Sequence, residues 1–205
     1  MTQVSDLQHG IWFTETTGGA STAYALAVAL DLTGPLDLTA LETACQSVVS
    51  RHEALRLAVA ESDAGPRLVE AGAPPRLERR VHTADLVDSL LATPFDLARG
   101  PLVRMILAER SPERHLLVVV AHHLVFDGMS KEILVRDLAA AYRPGPADPG
   151  PPGAEDRPAA GSPIAPPRFV DLIETQRKAI ERELPAAREF WSRTGPTVPA
   201  RATLP

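Results

Sequence analysis

The apolar run Leu116–Ala121 and the polar segment His122–Gly128 that follows it constrain the fold more than any other part of the chain. The run contains only Leu, Val and Ala, and a short run of this kind predicts a strand that is buried on both faces. Successive side chains of a strand point to opposite faces. We therefore expect His122 and His123 to separate, one packing inward and the other facing a cleft.

Strand and helix signals are intermixed along the rest of the chain. The strand signals lie at Tyr24–Leu32, Leu55–Val59, Arg67–Val69, Arg76–Val81, Leu102–Glu109 and His115–Ala121, of which the last two read as a hairpin. The helix signals run from a cap at Asp37 or Thr39 to about Ser50, then over Ala84–Ala92, Met129–Tyr142 and Phe169–Trp191. A capping box at Thr39–Glu42 fits the first of these helices. This order predicts an α/β (α+β) sandwich, with a mixed central sheet covered by helices.

The composition changes abruptly after Tyr142. Residues 144–167 hold nine of the 20 prolines, and such a stretch buries too little apolar surface to order itself. We therefore expect a main body over 1–143, a Pro-rich mobile loop or linker over 144–167, a returning helix over 168–193 and an irregular tail over 194–205. The tail ends without a natural stop, as if a further part of the fold followed.

Charge and cysteine content exclude several classes of partner. The formal net charge is −5 and no Lys/Arg run stands out, so no nucleic-acid footprint is expected. The single cysteine, Cys45, lies in an apolar helical stripe and reads as a core residue of a protein from a reducing compartment. No signal peptide and no membrane-spanning run is visible, so the sequence predicts a cytoplasmic protein without a membrane partner.

Three interpretations of His122–Gly128 remain open from the residues alone. The histidines and Asp127 can ligate a metal, although a third well-spaced ligand is not evident. Both histidines can instead be satisfied core residues, with Asp127 or Ser130 capping the following helix. In the third interpretation, a strand end delivers an imidazole base to a cleft beside a buried carboxylate, and Gly128 lets the turn adopt unusual dihedrals.

Further motifs occur in a fixed order around this segment. They are Ser5…Gln8…Ile11-Trp12, Arg51-His52-Glu53-Ala54-Leu55-Arg56, Pro94-Phe95-Asp96-Leu97 with Gly100-Pro101-Leu102-Val103-Arg104, the complete His122-His123-x-x-x-Asp127-Gly128, and Phe190-Trp191. In this order the chain resembles the N-terminal half of a condensation domain of a nonribosomal peptide synthetase. These domains belong to the chloramphenicol-acetyltransferase-like superfamily. Leu57-Ala58-Val59 departs from the Thr-x-Phe usual in the family.

The resemblance implies an amide-forming acyltransferase. An acyl or peptidyl thioester on an upstream carrier protein is joined to the amine of an aminoacyl thioester on a downstream one. Both substrates are carried on phosphopantetheine arms, and no cofactor or metal is bound by the domain itself. The resemblance also implies a C-terminal lobe that supplies the other wall of the cleft, so the isolated chain is expected to be incomplete for catalysis.

The resemblance assigns roles to the residues of the motifs. His123 is the catalytic residue, either as general base or as a group that positions the amine and stabilises the tetrahedral intermediate. His122 supports it, and the backbone amide of Gly128 assists the oxyanion. Asp127 is structural and pairs with an arginine of the second motif, Arg51 in preference to Arg56. On that basis we expect Asp127→Asn mainly to harm folding.

Two alternatives remain beside this function. The chain can be an acyltransferase of the same superfamily that uses a free alcohol or amine as acceptor. It can also be a non-catalytic module that recruits a carrier protein, although the intact motif counts against that reading.

Overall fold

The computed structural model describes residues 2–18, 22–143 and 167–194. The chain divides into two compact units, Met1–Phe169 and Val170–Pro205. Among the described residues, the first unit contains two sheets and four helices, and the second contains nearly all of a fifth helix. The expected Pro-rich loop, apart from Pro167, and the tail from residue 195 onward lie outside the described residues.

The central sheet has four strands in the order β2 (Ala25–Thr33), β7 (Arg114–His122), β6 (Val103–Ser111) and β5 (Leu77–Val81). The β2–β7 and β6–β7 pairs are antiparallel and the β5–β6 pair is parallel, which confirms the predicted mixed sheet. The predicted hairpin is β6 and β7. Every residue of β7 from His115 to His122 is buried, as a strand covered on both faces requires.

The described residues also form a three-stranded sheet, which the sequence did not predict as a separate sheet. Its order is β1 (Thr2–Gln3), β4 (Arg67–Glu70) and β3 (Leu57–Ala60), all antiparallel. The strand predicted at Leu55–Val59 begins two residues later, because Glu53–Arg56 forms a 3₁₀ turn after the preceding helix.

The described ranges contain five helices: α1 (Asp6–Gly18), α2 (Leu38–Arg51), α3 (Leu86–Leu91), α4 (Gly128–Ala141) and α5 (Phe169–Thr194). On one face of the central sheet, Leu86 and Leu90 of α3 pack with Ile106 of β6 and with Val118 and Val120 of β7. Helix α2 contacts α4 and buries the predicted stripe of Leu41, Cys45 and Val48.

Asp37, one of the two predicted caps, begins α2. Its side chain accepts a hydrogen bond from the Ala40 N–H at 3.0 Å, so the expected capping box at Thr39–Glu42 is wrong. Helix α1 was not predicted. Its two Gly and three Thr residues have weak helix propensity, and buried polar contacts of Gln8 and Glu15 hold it in place.

Helix α5 confirms the helix predicted from Phe169. Its surface carries ion pairs, including Arg177 with Glu174 at 2.8 Å. Of its large apolar side chains, Ile173 is buried, whereas Leu172, Ile180, Leu184 and Phe190 are exposed. Trp191 is also exposed, and its ring meets that of Phe190 edge-on at 5.2 Å between centroids.

Candidate active site at the end of strand β7

The two histidines of the motif point in opposite directions, as the alternation of a strand predicts. The His122 side chain is 1% exposed, whereas His123 is exposed to solvent. The last hydrogen bonds of the sheet fix the backbone here: His122 N–H donates to the Leu102 carbonyl at 2.9 Å, and His123 N–H donates to the Tyr24 carbonyl at 2.8 Å. A rigid strand end thus presents the His123 imidazole.

Both ring nitrogens of His122 have partners. Nδ1 accepts a hydrogen bond from the Leu124 N–H at 3.1 Å, and Nε2 lies 2.5 Å from Glu15 Oε2 of α1. The rings of Tyr24 and Phe95 lie against the imidazole, with centroids 6.3 and 5.8 Å away. Burial, together with the charge on His123, lowers the pKa of His122 to about 4. The ring is therefore neutral at physiological pH.

Helix α1 supplies two residues of the site that the sequence reasoning did not assign. Glu15 contacts His122, and the Gln8 Nε2 donates to the Leu124 carbonyl at 2.7 Å. Gln8 lies in the first motif, and Glu15 follows it by seven residues, a spacing that places both on one face of a helix. Recognising the Ser5–Trp12 motif as helical would have shown this face.

Asp127 begins α4 as its N-cap. Its Oδ1 accepts hydrogen bonds from the Ser130 N–H at 2.8 Å and from the Ser130 hydroxyl at 2.7 Å, and the Ser130 Oγ accepts from the Asp127 N–H at 3.2 Å. These donors hold the pKa of Asp127 below its usual value. The two caps considered from the sequence, Asp127 and Ser130, thus act together as a reciprocal capping box.

Gly128 is the first residue of α4, so its N–H has no acceptor within the helix. The residue is exposed, and a methyl group added at its Cα would meet no atom within 4 Å. Within the described residues, only Gly34, Gly65 and Gly100 have positive φ. The expected role of Gly128 in an unusual turn is therefore wrong, and what the glycine provides is open space beside a free backbone donor.

The predicted pairing of Asp127 with an arginine of the second motif is also wrong. Arg51 Nε instead lies 3.4 Å from Asp137 Oδ2 of α4, and Arg56 donates to the carbonyls of Val49 and Ser50, both at 2.7 Å. Arg56 thereby satisfies the last turn of α2. The sequence could not choose the carboxylate, because Asp127 and Asp137 both follow the motif at long range.

Asp137 is the buried carboxylate that ties α2 to α4. Its side chain is 4% exposed, and it accepts hydrogen bonds from His52 Nε2 at 2.8 Å and from Arg136 Nε at 2.9 Å. Burial acts to raise the pKa of Asp137, but the hydrogen bonds from His52 and Arg136 outweigh it and leave that pKa lowered. The second motif therefore orients α4, whose first turn borders His123 in sequence.

The open alternatives can be weighed on this geometry. Because both nitrogens of His122 are engaged, that ring has no free lone pair to offer a metal. In the part of the chain that the structure describes, no three His, Cys, Asp or Glu side chains are grouped as metal ligands.

Burial raises the pKa of the Cys45 thiol to about 11, which suits the predicted core residue.

None of the helices among the described residues combines the length and apolar composition of a bilayer-crossing segment.

Comparison with known proteins supports the reading of the motifs. The family model described as "Condensation domain" matches residues 1–205. Chondramide synthase cmdD of Chondromyces crocatus is 35% identical over 151 residues, which are 68% of this chain and 4% of that protein.

Two solved structures show the likeness of fold. The condensation domain of the monacolin K polyketide synthase MokA is 21% identical, with a TM-score of 0.77 over 100% of this chain and 44% of that one. The X-domain from teicoplanin biosynthesis, solved in complex with OxyB, is 29% identical, with a TM-score of 0.75 over 100% of this chain and 45% of that one. The chain thus spans less than half of these structures. It belongs to the condensation-domain family, of which it represents the N-terminal part.

Proposed function

We propose that this chain provides the His123-bearing wall of a site that forms amide bonds between carrier-bound substrates. The amine nitrogen of the acceptor attacks the carbonyl carbon of the donor thioester. A C–N bond forms, the C–S bond breaks, the amine loses a proton and the donor carrier's thiol is released. The observation that carries the proposal is the exposed His123 imidazole at the end of β7. The neighbouring His122 is buried, and its ring accepts a hydrogen bond from Leu124 N–H.

His123 is the residue that touches the reacting atoms. An imidazole can accept the proton that the amine loses, or hold the amine by a hydrogen bond while the tetrahedral intermediate forms. The free N–H of Gly128 at the N-terminus of α4 is a donor suited to a developing oxyanion. His122 supports His123 through its buried hydrogen bonds. Arg51 links α2 to α4 through Asp137, and Arg56 donates to the carbonyls of the last turn of α2.

The substrates are thioesters on the phosphopantetheine arms of a donor and an acceptor carrier protein, and the domain needs no cofactor of its own. A C-terminal lobe completes the cleft, since this chain covers less than half of the condensation-domain structures that it matches. The lone, buried Cys45 fits work in the reducing cytoplasm.

A recruitment function is the second candidate. It is favoured by the similarity to the teicoplanin X-domain, which is solved in complex with OxyB. A recruitment module would bind a carrier or partner protein and would not need an exposed imidazole at this position.

The test uses donor and acceptor carriers loaded with their thioesters. The chain is added alone or together with a C-terminal condensation-domain segment, and product is followed by intact mass. Product only in the presence of the second segment supports the proposed function. Tight carrier binding without product in either mixture would instead favour recruitment.

A further inference from the structure

Helix α1 buries two polar side chains and exposes two large apolar ones. Leu7 and Phe13 are 78% and 55% exposed, whereas Gln8 is 7% exposed and the Glu15 side chain 6%. At these four positions the usual pattern of a surface helix, in which apolar side chains face the core, is reversed. Burying a carboxylate and an amide is costly unless each is well bonded. The burial of Gln8 and Glu15 therefore indicates a specific structural role at the end of β7.

The hydrogen bonds of His122 fix its tautomer. Because Nδ1 accepts the Leu124 N–H, the ring proton is on Nε2, and Nε2–H donates to the Glu15 carboxylate. Protonating Nδ1 would break the bond to Leu124. Burial also raises the pKa of Glu15 and lowers that of His122, which agrees with a neutral ring that donates to a buried carboxyl group.

The same network holds the backbone on both sides of His123. The N–H of Leu124 is bound by the His122 ring, and its carbonyl is bound by Gln8, whose Oε1 in turn accepts from the Ser5 N–H at 2.9 Å. His123 itself is tied through its N–H to Tyr24. The position of the exposed His123 imidazole thus depends on a backbone that two residues of α1 stabilise. Gln8 bonds it directly, and Glu15 acts through the His122 ring.

We propose that Glu15 is a positioning residue, which acts through His122 to fix the strand end that carries His123. This inference rests on the proposed role of His123 in acyl transfer. The Glu15 side chain is only 6% exposed and its carboxylate contacts the buried His122 ring, so we infer that it acts through that ring and does not touch substrate. Its removal should disturb the rate of the chemical step and leave carrier binding unchanged.

The test compares Glu15→Gln with a matched control, Glu42→Gln, which makes the same chemical change at an exposed position of α2. The first readout is imidazole nitrogen NMR of the 205-residue chain. We expect Glu15→Gln to keep the Nε2–H tautomer of His122, to shift its Nε2–H resonance and to shift the ring signals of His123. The control should leave all of these unchanged.

The second readout is the condensation assay with the C-terminal segment and loaded carriers. We expect Glu15→Gln to lower kcat at least about tenfold, because small misplacements of a reacting group are costly, with KM for both carriers unchanged. A residue that only supports folding would not move kcat in a variant that melts like the wild type. Glu15→Asp, which keeps the carboxylate one methylene shorter, should retain more of the rate than Glu15→Gln.

A folded Glu15→Gln protein with unchanged His123 signals and unchanged kcat would overturn the inference. A lower rate caused by a raised KM would also overturn it. If Glu15→Gln does not fold, Glu15→Asp takes its place, and the same unchanged readouts would overturn the inference. If His123→Ala proves fully active, the proposed function fails, yet the NMR comparison still decides whether Glu15 positions His123.

Discussion

The carboxylates of Asp127, the N-cap of α4, and of Asp137, within that helix, have different surroundings. Asp127 is an exposed cap, whereas Asp137 is buried and accepts from His52 and Arg136 beside Arg51. A signal for Asp137 was available, since it lies between Leu134 and Leu138 on the buried face of the helix. A carboxylate in an apolar stripe needs a cationic or hydrogen-bonding partner.

We therefore revise the expected effect of Asp127→Asn. Asparagine is as good an N-cap as aspartate, so this change should lower the free energy of unfolding by less than about 1 kcal/mol. Asp137→Asn leaves the cationic groups around it without their carboxylate and should cost about 2–3 kcal/mol. Urea unfolding of both variants at pH 7 measures the difference. A larger loss for Asp127→Asn than for Asp137→Asn would contradict the assignment of the two roles.

The buried His122 gives a pH prediction with a definite sign. The unfolded chain takes up a proton on this ring near pH 6.5, whereas the folded chain does so only near pH 4. Because the unfolded chain binds this proton more readily, the His122 imidazole lowers the free energy of unfolding as the pH falls from about 6.5 to about 4. Glu15 offsets part of this loss, because its pKa is raised and the folded chain takes up that proton first.

Proton NMR of the histidine rings measures this directly. The His122 resonance, assigned by its absence in His122→Asn, should stay constant from pH 8 to pH 5. A midpoint near pH 6.5 for that resonance would show that the ring is not held neutral by its surroundings.

At the scale of the elements, hydrophobic periodicity predicted the strands and helices that bury a continuous apolar face. β6, β7, α2 and α4 were found within about two residues because each carries a continuous apolar face. α1 was missed because its buried face is polar and its propensity is weak, so only long-range contacts from Gln8 and Glu15 show it. These contacts join residues more than 100 positions apart, so a local pattern can place Gln8 and Glu15 on one helix face but cannot identify their partners.

The first turn of α4 gives a prediction at this scale. Gly128 has open space around it and no positive φ, so Gly128→Ala should raise the free energy of unfolding by about 0.4–1 kcal/mol. If substrate approaches the free N–H, the added methyl group should nevertheless lower the condensation rate. Thermal unfolding and the carrier assay together measure both effects.

A lower free energy of unfolding for Gly128→Ala would contradict the prediction, because it would show that other atoms of the chain occupy the space beside Gly128. A stabilised variant with undiminished activity would remove Gly128 from the proposed oxyanion site.

At the scale of the whole molecule, the sequence predicted the mixed sheet, its covering helices and the direction of both histidines. It did not show the second sheet, the clamp from α1 or the partners of the arginines, since each depends on how distant segments meet. The chain covers 44% of the solved MokA condensation-domain chain. On the proposed function, the exposed His123 is expected to form one side of a larger cleft. We expect catalysis to require the rest of that domain.

The most direct test is a single-turnover condensation assay with loaded carriers and the C-terminal segment, comparing wild type with His123→Ala. His82→Ala is the matched control, since His82 lies beyond β5 and accepts a hydrogen bond from Arg110 at 3.0 Å. We predict that His123→Ala lowers the rate by about 10²–10⁴-fold with unchanged thermal stability, and that His82→Ala leaves the rate unchanged. A folded His123→Ala protein that forms product at the wild-type rate would contradict the account.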